Sequence, residues 1–302
     1  MTGLALQGGG CLGYGQVLLL AQAEQRWNKS CSDVFDFIGG TSVGCIVGAC
    51  LAVGIPATQI EQFFTVSAPK IFAGSWLNSI GSLWGSKYSP AQLEIALQAI
   101  LGTKTLRDCK TNFISTSYDW ATDRPVYFKS FEASYETPDF IVLGNDSDIM
   151  LWQVCRASSA AQTYFPAFKY DGMTLMDGGN TGDNAPDMLV LCEMLENNSR
   201  KDVQLLSIGA GETIWTENPV SMINPSILRA GLATIKIVFS VGEDAQVYKA
   251  RHLLGNNYYR LSPNLGDGIA IDDAQGCITK IPPAVNALFP AANSSLDVFN
   301  KG

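Results

Sequence analysis

The chain has 302 residues, 47% of them hydrophobic and 29 of them glycine, enough for a large buried core in one big domain or two small ones. Charged residues make up only 16%, below the usual ~25%, which points to an extensive interior or an apolar surface patch. The net charge of −8 provides no basic stripe for phosphates, which excludes nucleic acid as a partner and leaves any peripheral membrane contact to apolar side chains.

In chain order, Leu4-Ala5-Leu6-Gln7 is the first expected strand, and a helix is expected from about Leu12 to Ala23. Between them, Gly8-Gly9-Gly10-Cys11-Leu12-Gly13 turns backbone N–H groups outward at a helix N-terminus, where partial positive charge favours an anion. Written Gly8-x-Gly10-x-x-Gly13, the run fits a dinucleotide fingerprint as well as an oxyanion loop. The dinucleotide reading needs an acidic residue at the end of the second strand. Here that strand, expected over Val34 to Ile38, runs instead into Gly39-Gly40-Thr41-Ser42-Val43-Gly44.

Gly40-x-Ser42-x-Gly44 between a short strand and an apolar helix (Val43 to Val53) fits a nucleophile elbow. Two glycines let strand and helix approach while the serine backbone is strained, and Gly48, Ala49 and Ala52 keep the helix face slim. The plainer alternative is a tight glycine turn with an incidental serine. With a nucleophile at the strand end, the amides of Gly8, Gly9, Gly10 and Cys11 are assigned to an oxyanion hole, worth about 3 kcal/mol per donor in comparable sites.

The stretch Phe63 to Tyr88 carries Phe63, Phe64, Phe72, Trp76 and Trp84 among Ser, Gly and Asn. Two readings stand: aromatics filling a satellite of the core, or an apolar lid with Phe72, Trp76 and Trp84 contacting a lipid substrate. Ser89-Pro90-Ala91-Gln92 opens a helix that Gly102 closes, with Ser89 as the expected cap. Asn112 to Ser117, Pro125 to Phe128 and Val203 to Ile208 are strand candidates. Asp177 follows the strand-like Met173-Thr174-Leu175-Met176 and enters Gly178-Gly179, either an ordinary hairpin turn or a carboxylate presented at the sheet edge as a base. After about Ile214 the signals thin to one helix near Ile227 to Leu254, which holds the single histidine, His252. The order Ser42, Asp177, His252 is that of an α/β-hydrolase triad, a competing assignment.

Met1-Thr2-Gly3 lacks a basic leader, and the longest apolar run, Cys45 to Ile55, is too short to span a bilayer. Eight cysteines scattered without CxxC spacing read as buried free thiols in a reducing, cytoplasmic compartment, with no metal cluster.

Gly8-Gly9-Gly10, Gly40-x-Ser42-x-Gly44 and Asp177-Gly178-Gly179, in this order and spacing, resemble the patatin-like phospholipase family. So do Lys87-Tyr88-Ser89-Pro90, Thr122-Asp123-Arg124-Pro125, Arg156-Ala157-Ser158-Ser159-Ala160-Ala161 and Leu206-Ser207-Ile208-Gly209. The resemblance covers about residues 3 to 212 and implies a three-layer α/β/α fold with a mainly parallel central sheet. It places the catalytic domain at 1–215, with 216–302 as a helical or irregular extension packed on it. It also implies a Ser/Asp dyad without histidine or cofactor, hydrolysing acyl esters of membrane phospholipids, with Ser42 as nucleophile, Asp177 as base and Gly8 to Cys11 as oxyanion loop. The sequence departs from the family at Gln7, commonly Asp, and at Leu12, commonly basic. The functions expected are therefore a lipid acyl hydrolase first, then a non-catalytic nucleotide- or lipid-binding module or an acyltransferase or esterase with the triad.

Overall fold

The computed structural model describes residues 1–73, 86–212 and 242–300. In chain order these form β1 (Thr2–Leu6), a 3-10 turn (Gly10–Gly13), α1 (Tyr14–Trp27), the single turn α2 (Cys31–Val34), β2 (Phe37–Gly40) and α3 (Val43–Ala52). Next, α4 (Ala57–Gln62) continues through a π-helical turn (Phe63–Ser67) into α5 (Ala68–Ile71). After α6 (Ala91–Leu101) come β3 (Asn112–Asp119), β4 (Arg124–Lys129), β5 (Tyr135–Glu136), β6 (Ile141–Leu143), α7 (Leu151–Ser158), β7 (Phe168–Tyr170) and β8 (Met173–Asp177). The chain closes with α8 (Asp187–Leu195), β9 (Gln204–Ile208), α9 (242–254), β10 (Tyr258–Leu261) and α10 (Ala274–Asp297).

The strands make one sheet in the order β10-β9-β1-β2-β3-β4-β6-β5, with β8 also paired to β3 and β7 to β8. From β10 to β3 every pairing is parallel, and β4 then turns antiparallel. Side chains alternate across β1: Leu4 and Leu6 pack with α1 and α3 on one face, whereas Ala5 meets Val190 of α8 and Ala250 of α9 on the other. Both faces of these strands are therefore buried, as a parallel sheet requires, and the protein is a three-layer α/β/α molecule. Each fully buried leucine contributes roughly 2 kcal/mol of transfer free energy to those layers.

Two expectations shift. Val34 ends a helical turn rather than beginning a strand, because Ser30 and Asp33 form a reciprocal cap, and the strand starts at Phe37. The helix after Pro90 begins at Ala91, with Ser89 Oγ 3.4 Å from the Ala91 amide. The long α10, which the sequence reading did not foresee, lies against α1, tied by Trp27 Nε1 donating to Leu296 O at 2.9 Å and by an Arg26–Asp297 ion pair. All eight cysteines are free, Cys192 being exposed. Among the described residues no helix is long and apolar enough to cross a membrane.

Candidate active site

The register around β3 brings the two key side chains together. β4 occupies one edge of β3 along its length, so β2 and β8 share the other edge. Gly40 at the end of β2 pairs with Ser115, and Asp177 at the end of the antiparallel β8 pairs with Ser117. Two strand ends thus meet head-on across Thr116, about 7 Å apart at two residues of strand rise. Gly178 lies against that intervening residue: a Cβ there would come within 2.3 Å of Thr116 O.

Ser42 sits between β2 and α3 with φ 55° and ψ −123°, a conformation rare for a residue with a side chain. Its neighbours explain how it is tolerated. A Cβ on Gly40 would fall 2.1 Å from Gly44 O, and one on Gly44 would fall 2.0 Å from Leu6 O, so both glycines are needed for the close strand–helix approach. Gly48 differs. A Cβ there would meet Ile38, Phe113 and Leu6 only at ordinary contact distances of 3.4–3.6 Å, so it is not part of the tight approach expected for it.

Asp177 is fully buried and caps the 3-10 turn Gly178–Thr181, its Oδ1 accepting from Gly179 N at 2.8 Å. The strand-to-helical-turn passage rules out the hairpin reading of Asp-Gly-Gly. Burial raises its carboxyl from the ordinary 3.8 to about 7, against the opposing pull of the Gly179 amide and the Ser42 hydroxyl. Ser42 is therefore within interaction range, yet Oδ2 makes no full hydrogen bond among the described residues. Such looseness is common in unliganded sites, where catalytic contacts tighten on substrate binding.

The glycine loop reaches the same place. A Cβ on Gly8 would lie 3.1 Å from Ser42 Cβ. Of its four amides, two are already spent: Gly8 N donates to Asn184 O at 2.9 Å and Cys11 N to Ile271 O at 2.7 Å. This narrows the expected oxyanion loop, since an amide committed to a backbone carbonyl is not open to an oxyanion. Gly9 N and Gly10 N have no acceptor among the described residues, and neither does Val43 N in the first turn of α3. Gly10 has φ 56°, and a Cβ there would strike Ile271 O at 2.3 Å. Leu12 points into the core, 7% exposed.

Gly10, Ser42 and Val43 open onto a pocket enclosing about 580 Å³ of empty space, part of it open to solvent. Its walls are apolar, from Ile46, Phe63, Phe64, Ile71 and Leu93, with Phe72 among them. Phe63 and Phe64 fill the main core, as the first reading has it, and they also line the pocket. The π-helical turn that carries them is a feature frequent at functional sites. Trp76 and Trp84 lie outside the described residues. His252 is exposed on α9 with its ring stacked on Tyr248, and it is not among the partners of Asp177. Sequence reading missed two groups that shape the site. Ile271, whose carbonyl binds the loop, gives no local signal; Ser158, whose Oγ accepts from Ser42 N at 3.0 Å, lies in Arg156-Ala157-Ser158-Ser159-Ala160-Ala161.

The patatin-like phospholipase family profile matches residues 4–190. A cGAMP-activated phospholipase of Pseudomonas aeruginosa is 28% identical over 264 residues, 85% of this chain and 77% of that one. One of Escherichia coli is 29% identical over 223 residues, 68% of this chain and 61% of that one, so the match spans about three fifths of its length. Patatin-04/09 of Solanum tuberosum is 26% identical over 322 residues, covering 91% and 79%. Among solved structures, VipD from Legionella pneumophila shares the fold, with a TM-score of 0.51 at 14% identity over 99% of this chain and 67% of that one. With the profile matching well over half of it, the chain belongs to the patatin-like phospholipase family, whose members hydrolyse esters.

Proposed function

We propose that this protein is a lipid acyl hydrolase of the phospholipase A type, working through a Ser42–Asp177 dyad. Ser42 Oγ attacks the ester carbonyl carbon while its proton passes to Asp177, and the carbonyl oxygen becomes an oxyanion received by the free amides of Gly9 and Gly10. Collapse of the tetrahedral intermediate breaks the bond to the leaving alcohol, which takes the proton back from Asp177. Water then attacks the acyl-enzyme by the same route and releases the fatty acid. The apolar pocket beside Ser42 suits the acyl chain, and the phospholipid is drawn from a membrane surface by apolar contact rather than by charge.

The observation that carries this reading is the fully buried Asp177, raised to about 7 and within range of a strained serine at the pocket. A carboxylate so placed is a better base at neutral pH than a solvated one. The test is release of fatty acid from phosphatidylcholine vesicles and of nitrophenol from p-nitrophenyl esters by Ser42→Ala and Asp177→Asn. Loss of both activities in folded protein supports the dyad, and a wild-type rate in either variant sinks it. A fluorophosphonate probe separates enzyme from binding module, because only an activated Ser42 is covalently labelled. Adding small alcohols and looking for acyl esters distinguishes transfer from hydrolysis.

A further inference from the structure

The glycines give the elbow room, but they do not aim it. The hydrogen bond on the nucleophile's own backbone comes from elsewhere: Ser42 N donates to Ser158 Oγ at 3.0 Å. Ser158 is the last residue of α7 and is fully buried. Its Oγ lies 3.2 Å from Ser115 Oγ, and Ser115 Oγ lies 2.7 Å from Gly40 O. Each hydroxyl has one hydrogen to give. Ser115 Oγ is the donor in both contacts, so its one hydrogen is shared between Gly40 O, the shorter contact, and Ser158 Oγ. Ser158 Oγ thus accepts from the Ser42 amide and from Ser115, and Ser115 ties that acceptor to the carbonyl of Gly40.

The same short segment also holds the other half of the dyad. Asp177 N donates to Ala160 O at 3.1 Å, two residues beyond Ser158. Ser117, the β3 partner of Asp177, donates from Oγ to Met176 O at 2.6 Å. Ser158 and Ala160 thus grip Ser42 and Asp177 from one piece of chain.

We propose that Ser158 and Ser115 are positioning residues, forming a hydroxyl circuit that clamps residues 40–42 and, with Ala160, sets the spacing between Ser42 and Asp177. The proposal rests on Ser42 being the nucleophile. Neither serine touches substrate. Their effect is to keep the Ser42 amide bonded in a strained conformation, so that Oγ meets Asp177 and the carbonyl in line.

The experiment measures kcat and KM on a p-nitrophenyl ester, and the rate of fluorophosphonate inactivation, for Ser158→Ala, Ser115→Ala and the double variant, with thermal melts as a folding check. Removing the Ser158 hydroxyl leaves the part-buried Ser42 amide unbonded, and kcat is expected to fall about tenfold or more with KM within about twofold. Because both serines act through one circuit, the double variant should lose about as much as the worse single one, not the product of the two losses. Wild-type kcat in folded Ser158→Ala, independent multiplying losses, or losses confined to KM would each overturn the proposal. If Ser158→Ala does not fold, Ser115→Ala carries the same expectation. If neither folds, the serines are structural and the proposal is likewise overturned. Wild-type protein left unlabelled by the probe refutes the nucleophile reading itself, a separate outcome.

Discussion

Replacing Asp177 by Asn should stabilise the folded protein at alkaline pH while abolishing catalysis. The carboxyl is fully buried, and its pKa moves from 3.8 to about 7 because burial opposes the charge. A carboxyl raised in the fold binds its proton more tightly there than in the unfolded chain. Stability is therefore greatest below the unfolded value, falls as pH climbs from about 4 to about 7, and is flat above. At about 1.4 kcal/mol per pKa unit, the ionised carboxylate costs roughly 4 kcal/mol at pH 8 as an upper bound. Asparagine keeps the oxygen that accepts from Gly179 N but places an amide where Oδ2 has no full hydrogen bond, which takes back about 1–3 kcal/mol. The net expectation is a gain of about 1–3 kcal/mol at pH 8 that vanishes or reverses at pH 4. Urea unfolding of both proteins from pH 4 to 8.5 measures it. A stability difference that does not change with pH would show that Asp177 is not a desolvated carboxylate, and the argument for its role as base would fall with it.

The same shift predicts that kcat/KM rises with pH through about 7 and then levels, since the base must be deprotonated in the free enzyme; a pH–rate profile flat between 5 and 9 contradicts this. Gly44→Ala should fail to give soluble folded protein, because its Cβ would lie 2.0 Å from Leu6 O. Gly48→Ala, four residues along the same helix, should be neutral or stabilise by up to about 1 kcal/mol, and equal melting penalties for the two would refute the packing argument. Leu12→Arg, which restores the charge common in the family, should lower stability by about 3 kcal/mol or more without raising kcat/KM, because Leu12 is buried in the core; thermal melts and ester assays check both halves.

What the sequence disclosed depended on whether the cause was local. The elbow was legible because its cause is steric and contained in five residues: two missing Cβ atoms on either side of Ser42. The buried strands β1, β2 and β9 stood out as apolar runs, with the first residue of β2 misplaced only because Ser30 and Asp33 capped a turn that the apolar pattern hid. By contrast α10 was missed, since Pro282, Pro283 and Pro290 argue against a helix. Its buried face, Cys277, Ile281, Val285, Ala292 and Leu296, keeps a helical period through those prolines, and that was the signal available. The oxyanion loop was read as four equivalent amides, because nothing in Gly8 to Cys11 tells which of them a distant carbonyl will claim. Asn184 and Ile271 decide that, and they lie 176 and 260 residues from the amides they bind, Gly8 and Cys11 respectively.

The departures at Gln7 and Leu12 make sense together once β10 is in place. Where the family commonly has an acidic residue, Gln7 accepts a hydrogen bond on its side-chain oxygen from Arg260 Nη2. Arg260 is anchored in turn by Ser207 Oγ at 2.7 Å and Glu243 at 3.4 Å. Burial pushes the Glu243 carboxyl up to about 7, and a second carboxylate in place of Gln7 would crowd like charges in the same half-buried space. Leu12 is a core residue, and the positive charge at the base of the loop comes from Arg260 of β10. That arrangement ties the loop's shape to residues beyond the family match: Arg260 at its base and Ile271 against Gly10 and Cys11. Residues after 190 thus hold the glycine loop in place beside Ser42, Ile271 claiming the Cys11 amide while those of Gly9 and Gly10 have no acceptor among the described residues.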